Sequence, residues 1–398
     1  MSSRTELRVV VAALVVAACI LLFPGRAAAY PWMLRHGSTQ CGNCHADPSG
    51  SGLLTPFGRT RGEQVLRTHY GAPARPALGK LLFGLDAPEG LLLGGSFRNG
   101  LLVQHIANAP QQPDPRFLQM QADLRAQLTV GRLRLSGSLG FLHEGGRPTR
   151  VTKRDQDNLV SREHWIGVDL GEDRAWLIRA GRMNLPYGLR NNEHTLWIRS
   201  ALRTDINEGQ QHGVAIAYAA GLDRAEVMAV VGNLQLSPDV YREQGVVGYY
   251  ERAFGKHATL GVSGLLLHSA VDVQVGKEST RQGYGVFARL SPRKQLVFLA
   301  ELDALLQKVD GVDLGKGWVS MLSTDLEAVE GVHLVLTGEA RKLPLGSGTA
   351  FGEWLSCVWF FAPHADLRID GVFQVFPGQG GGPTVRATTL LGQLHLYL

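Results

Sequence analysis

Two cysteines three apart, with a histidine directly after the second, stand in "STQCGNCHADPSG", residues 38–50. The spacing Cys41-x-x-Cys44-His45 has a mechanical reason. Two thiols at that separation add across the two vinyl groups of one haem, and the following histidine is then placed beneath the iron as proximal ligand. A bare Cys-x-x-Cys also serves zinc or dithiol redox chemistry. Zinc needs a second ligand pair, and no other Cys-x-x-Cys occurs in the chain. A redox dithiol needs a βαβ setting, which the surrounding pattern lacks. The chemistry expected is therefore one covalent c-type haem, held by Cys41 and Cys44 with His45 on the metal.

For the sixth position three side chains lie near in sequence. His36 and Met33 stand upstream in "YPWMLRHG", and His69 stands downstream in "RTHYG". A second imidazole holds the potential low, whereas a thioether raises it. His36 and His69 are preferred over Met33, and a five-coordinate iron stays open. Arg35 and Arg59 are expected to pair with the haem propionates, because a guanidinium binds carboxylates in a two-pronged fashion. Histidines further along, such as His143, His194 and His212, are read as lumen or loop residues.

The elements around this motif follow from composition. Residues 1–8 carry Arg4 and Arg8, residues 9–23 are almost wholly apolar, and Ala27 to Ala29 offer a small-residue cleavage site. That is a secretory signal peptide over 1–29, with Tyr30 as the first mature residue. A lipoprotein site at Cys19 is the rival, opposed by the apolar run that continues through Phe23. The chain has four cysteines; apart from Cys19 and the motif pair there is only Cys357, in the apolar run "WLSCVWFF". No disulfide framework can be built from these, and Cys357 is read as buried or lipid-facing. The formal net charge is +5. Residues 30–88 hold Arg35, Arg59, Arg61, Arg67, Arg75 and Lys80 against Asp47, Glu63 and Asp86, so the mature chain's positive excess sits beside the haem motif. No basic stripe exists elsewhere, which argues against nucleic acid as a partner.

From residue 89 onward the chain alternates. In "LQMQADLRAQLTV", Leu118, Met120, Ala122, Leu124, Ala126, Leu128 and Val130 fall on one face and Gln119, Gln121, Asp123, Arg125, Gln127 and Thr129 on the other. Period two is strand. "RLRLSGSLGF", "VHLVLTGEAR" and "DLRIDGVFQV" repeat the pattern. Sixteen strands are expected, near 89–106, 117–129, 131–142, 161–170, 174–183, 210–219, 225–233, 245–253, 257–269, 282–290, 294–306, 317–328, 331–341, 351–361, 364–375 and 385–398. Short turns such as "VGR", "GLDR" and "APH" alternate with longer polar links, the largest near 143–160 and 184–209. Short turns, long loops and charged inner faces are the marks of an outer-membrane barrel. The end, "LGQLHLYL", has the alternation of a closing strand, with Leu398 where an aromatic is usual. The expected fold is mostly β: a 16-stranded antiparallel transmembrane β-barrel, residues 89–398, in contact with outer-membrane lipid. A small monohaem cytochrome segment and linker, residues 30–88, precedes it, either plugging the lumen or standing on the periplasmic side.

The set Pro31-x-x-x-Arg35, Cys41-x-x-Cys44-His45 and Leu54-x-x-Phe57-Gly58-Arg59 resembles the cytochrome–porin fusions of iron-oxidising bacteria. That resemblance implies an outer-membrane electron conduit, with extracellular Fe(II) as donor and a periplasmic c-type cytochrome or other carrier as acceptor. An iron:cytochrome c oxidoreductase activity would follow from it. The stretch "ADPSGSG" departs from that family's pattern. A fainter likeness, to anion-selective porins, lies in "AGRMNLPYGLRNNEHTLWIRS", residues 180–200. It implies that Arg190, His194, Arg199 and Arg203 line a constriction or an external loop. Two other functions compete: a working porin with a periplasmic haem segment as sensor or carrier, and a haem enzyme such as a peroxidase. The enzyme would need paired distal residues, and the sequence presents none.

Overall fold

A computed structural model describes residues 32–36, 41–48, 50, 52–66, 88–143, 150–152, 157–191, 193, 195–234, 242–344, 346, 348–362, 364–378 and 382–398. The signal peptide, the linker at 71–79, His69 and His194 lie outside these residues, as does the side chain of His36.

Alternation along the chain becomes a closed wall. The strands are β1 Leu91–Ile106, β2 Arg116–Val130, β3 Leu133–Leu142, β4 in two pieces, Asn158–Val160 and His164–Leu170, β5 Trp176–Met183 and β6 Gln211–Ala220. They continue with β7 Asp223–Gly232, β8 Glu243–Phe254, β9 Ala258–Ser269, β10 Ser279–Arg293 and β11 Leu296–Val309. The last five are β12 Val312–Val329, β13 Val332–Lys342, β14 Ala350–Ala362, β15 Ala365–Phe376 and β16 Val385–Tyr397. Each pairs antiparallel with its sequence neighbours, and β16 returns to β1 with Ser96 opposite Tyr397 and Ile106 opposite Ala387. Both pieces of β4 pair with β3, so the wall has sixteen strands. Closure removes the edges that lipid could not hydrogen-bond.

The two faces are sorted as lipid and water demand. Leu101, Phe117, Leu124, Ile166, Val227, Leu260 and Leu355 point outward and are exposed, whereas Asp123, Arg179, Glu226, Glu251, Asp325 and Asp370 point inward and are buried. Cys357 shares the outward face with Leu355 and Trp359, which is the lipid-facing option of its sequence reading. Apart from the hairpin at Asp310–Gly311, the short turns between strands lie on the side of both barrel termini, the periplasmic side in such barrels. Gly131 at φ 61° and Gly221 at φ 56° make two of them with the left-handed backbone that glycine adopts freely.

Three departures from the expected strands have local causes. The strand expected over 161–170 is interrupted. Ser138 Oγ accepts the backbone N–H groups of Arg162 at 3.0 Å and Glu163 at 2.9 Å, a bulge that turns both of these side chains into the barrel. The polar link expected after residue 306 is instead a hairpin that lengthens β11 and β12. Asp310 at φ 48° and Gly311 at φ 75° form its turn, the positive-φ pair that matches strand twist. The long link 184–209 does not project outward. It folds into the lumen with a short helix, Trp197–Ala201, and packs Leu185, Tyr187, Leu196, Trp197 and Leu202 on wall residues from β6 to β15.

This sorting predicts a large asymmetry between the faces. Leu124, 71% exposed and in the middle of β2, lies in the lipid band. Leu124→Arg should cost about 2–4 kcal/mol, the usual penalty for a cation on the lipid face at mid-depth. Reversible denaturant unfolding in lipid vesicles measures it, with Gln104→Lys on the inward face of β1 as the comparison that should cost far less.

Candidate functional site

The stretch around Cys41, Cys44 and His45 is a small unit held by its own backbone. A 3-10 turn covers Cys41–Asn43, and the N–H groups of Cys44 and His45 both donate to the Cys41 carbonyl, at 3.1 and 2.9 Å. The chain then returns alongside itself: Ala46 N–H donates to Leu53 O and Thr55 N–H to Cys44 O. Thr55 caps the helix α1, Pro56–Val65, by accepting the Gly58 N–H at 3.0 Å, with Pro56 in the first turn where its missing N–H costs nothing. Gly58 lies against the motif so closely that a Cβ there would stand 2.2 Å from the Cys44 carbonyl oxygen. That contact explains the glycine in "LLTPFGR".

Ionic contacts bind this unit to the inner wall on several sides. Arg35, 3% exposed, pairs with Asp325 and, at 3.4 Å, with Glu327, beside His333. Asp47 accepts both arms of Arg179, at 3.2 and 3.3 Å, and Arg179 also reaches Glu226 at 2.6 Å. Arg59 donates to the Leu93 carbonyl on β1. Glu63 meets His364, in the turn between β14 and β15, at 2.9 Å. Burial pulls the His364 imidazole below its ordinary pKa, outweighing the hydrogen bond and charge of Glu63. Met33, Val65 and Leu66 pack on Val358 and Phe360. The unit therefore lies inside the barrel, in the half nearer the short turns.

Between the unit and the wall is a cavity with an open mouth. Cys44 and His45 line it, with Met33 and Arg59 from the same segment. Arg98 and Arg125 line it from β1 and β2, and His364, His395 and Tyr397 from the turn-side rim. Ile206 and Asn207 of the inward loop complete it. Cys41 packs its Sγ against Gly50, where a Cβ would come within 3.2 Å, so that glycine keeps room beside the sulfur. The donor types are those a haem uses: the Cys44 thiol and the His45 imidazole on the cavity with Cys41 beside them, and the guanidinium groups of Arg59 and Arg98 for carboxylates, whereas Arg125 already pairs with Asp123 at 3.5 Å and Glu163 at 3.4 Å.

The sequence-expected residues are thus placed unevenly. Cys44, His45, Arg59 and Met33 converge on the cavity, with Cys41 behind them. Arg35 is not on its lining; its guanidinium is taken by β12 carboxylates and works as an anchor. His69 and the His36 side chain lie outside the described residues. Arg199 is buried and Arg190 half-buried inside the barrel, Arg190 donating to Leu185 O at 2.9 Å and Arg199 to Asp205 at 2.8 Å, while Arg203 pairs with Asp272 at 2.8 Å. His143 sits in a loop against Asp157, and His212 meets His164 with Nε2 atoms 3.1 Å apart. Sequence reading missed Arg98, Arg125, His364 and His395. Arg98 and His395 are charged or polar at inward positions of alternating strands, the one signal that could have found them.

No protein-family model matches the chain, and no curated protein does. Solved structures do match. The outer membrane channel DcaP of Acinetobacter baumannii has a TM-score of 0.57 at 12% identity, covering 79% of this chain and 99% of that one. A loop-deletion mutant of OmpT, an outer membrane protein of Vibrio cholerae, gives 0.56 at 13% identity over 77% and 99%. An anion-selective porin from Comamonas acidovorans gives 0.54 at 14% identity over 77% and 99%. At such identities the likeness is one of fold: the chain is a porin-like β-barrel.

Gly58 gives the sharpest test of this packing. In Gly58→Ala the methyl has no room against the Cys44 carbonyl, and overpacking of this kind costs about 1–3 kcal/mol. The barrel should remain folded and heat-modifiable on gels, while trypsin cleaves at Arg59 or Arg61 at least ten-fold faster than in the parent protein.

Proposed function

We propose that this chain is an outer-membrane electron conduit in which the segment from residue 30 to 88 carries one covalent c-type haem inside the barrel. The observation that carries the reading is the joint placement of Cys44 and His45 on a cavity within the barrel, in a segment ion-paired to the wall through Arg35, Asp47 and Glu63. A segment hanging in the periplasm would not need those buried pairs.

Each residue has a physical task in this reading. The Cys41 and Cys44 thiols would hold the macrocycle covalently through its two vinyl groups, and His45 would ligate the metal. Arg59 and Arg98 would balance the propionates, since an unpaired carboxylate away from bulk water is costly. The bound haem would supply a one-electron Fe(III)/Fe(II) couple. The inward loop, through Ile206 and Asn207, covers the cavity on the extracellular side and keeps bulk ions away from it. Electrons then cross a lipid band about 25 Å tall while solutes do not. The donor is extracellular ferrous iron, on the cytochrome–porin resemblance, and the acceptor is a periplasmic c-type cytochrome or similar carrier.

A second reading has its own support. Solved structures like this one in fold include a channel and an anion-selective porin. The barrel would then conduct solutes, with the haem segment as an electron carrier or sensor.

Two measurements on the purified chain in detergent separate the readings. Haem should remain attached after denaturation, and the oxidised protein given ferrous iron should develop the sharp bands of a reduced c-type haem. In a planar bilayer it should conduct far less than an open porin. Attached haem with porin-like conductance would favour the second reading. A chain matured with a c-type haem assembly system yet carrying no covalent haem would overturn both.

A further inference from the structure

Sequence order favours His36 and His69 for the second axial position. The cavity favours another residue, and the argument rests on the haem reading above. The geometry points to Met33 as the second axial ligand, its thioether sulfur completing the coordination begun by His45.

Met33 lines the same cavity as His45 and is 4% exposed. It lies in the 3-10 turn Trp32–His36, where residues two apart point to different sides. Arg35 uses this divergence. Its guanidinium goes to Asp325 and Glu327 on the wall, and Met33 goes to the cavity. The buried ion pairs of Arg35 thus fix the turn that presents the sulfur, which makes Arg35 a positioning residue. Around the sulfur the setting is apolar: Val65, Leu66, Val358 and Phe360 share its cluster. No hydrogen bond engages the sulfur among the described residues.

The other nitrogen donors on the cavity are already held. His395 places Nδ1 3.0 Å from Asp366 and Nε2 3.0 Å from Ser96 Oγ, so both ring nitrogens have partners. His364 places Nε2 2.9 Å from Glu63. Its remaining nitrogen, Nδ1, adjoins its own Cβ, which crowds any approach to the face of a macrocycle. His364 also sits at φ 59° in a tight turn tied to the barrel, since the Tyr397 N–H donates to its carbonyl at 2.9 Å. The wall histidines therefore brace the rim, and the movable ligand comes from the inserted segment.

A thioether ligand has a functional consequence. It stabilises the reduced iron relative to a second imidazole and raises the potential. That suits a donor of high potential such as ferrous iron, and it makes this chain a collector of electrons from weak reductants.

The test is optical and uses the full haem-loaded chain. The ferric wild type should show the weak red absorption band that an iron–thioether bond produces. Met33→Leu conserves side-chain volume; it should abolish the band, and its ferrous form should bind carbon monoxide at least ten-fold faster than wild type. Met33→His should restore a six-coordinate spectrum without the band and with a lower midpoint potential. His364→Ala should keep the band. A wild-type spectrum without the band, or a Met33→Leu spectrum identical to wild type, would overturn the assignment and leave the haem reading standing. Absence of covalent haem in the wild type would instead remove the haem reading itself.

Discussion

Everything inside this barrel depends on one electrostatic constraint. An outer wall fit for lipid leaves the charged half of each strand facing inward, and a narrow, filled lumen takes those charges out of bulk water. Each must then meet an opposite charge or a hydrogen-bond donor, because the loss of hydration for a buried ion is several kcal/mol. Some find partners across the wall, as Glu251 does with Arg224 and Arg289. Others need the inserted elements. Asp47 divides Arg179 with Glu226, Arg35 satisfies Asp325 and Glu327, and Glu193 of the inward loop reaches Arg368 at 2.6 Å. The wall thus specifies where the N-terminal segment and the loop must sit. Burying such pairs adds little net stability over an apolar packing, but removing one partner is expensive, so the arrangement selects one register of the insert over others.

The inward loop obeys the same rule with neutral donors. Glu339 accepts the N–H groups of Trp197 and Ile198 at 2.6 and 2.8 Å, taking the first orphan donors of that short helix. Glu301 accepts the Leu189 N–H and Asp303 the Tyr187 hydroxyl, both at 2.9 Å. Three carboxylates on β11 and β13 therefore hold the backbone of a loop that would otherwise carry unsatisfied groups into an enclosed space. Tyr187, Trp197, Trp354 and Phe287 then fill the volume, with Trp197 edge-on to Trp354 at 5.6 Å. An apolar core inside a polar wall is possible only because those carboxylates are already engaged.

The wall was legible because period-two alternation is enforced by lipid on one side and water or charge on the other. Every expected strand has its counterpart, including the closing one at Leu394 and Leu396. The bulge at Ser161–Glu163 was not legible, since it turns on a hydroxyl of Ser138 from the preceding strand. The Asp310–Gly311 turn was legible in principle, as an Asp-Gly pair between alternating runs, but the polar residues flanking it mimic a loop. At the site, the contiguous motif gave Cys41, Cys44 and His45. The cavity wall around them comes from β1, β2, β16 and the β14–β15 turn, some fifty to several hundred residues away in sequence. A propionate role for Arg35 was plausible from its nearness to Cys41. A position six residues from the motif says little about direction, and the strongest attraction available to Arg35 is the Asp325–Glu327 pair across the lumen.

These placements bear on why the Cys41-x-x-Cys44-His45 motif is joined to so large a barrel. A tethered carrier needs only a link to its barrel. This chain instead spends buried arginines and carboxylates on holding the motif at one depth. Arg35 reaches β12 within four residues of its end at Val329, and His364 belongs to a turn, so the anchor is in the periplasmic half. Above the cavity, Ile206 and Asn207 come from a loop whose Arg199 and Arg203 are tied to Asp205 and Asp272. The cavity is thus bounded by a fixed insert on one side and a fixed loop on the other. Fixed spacing has no value for a diffusing solute, which needs an open path. It has high value for electron transfer, in which the protein's task is to hold donor and acceptor at set positions and exclude competing reactions.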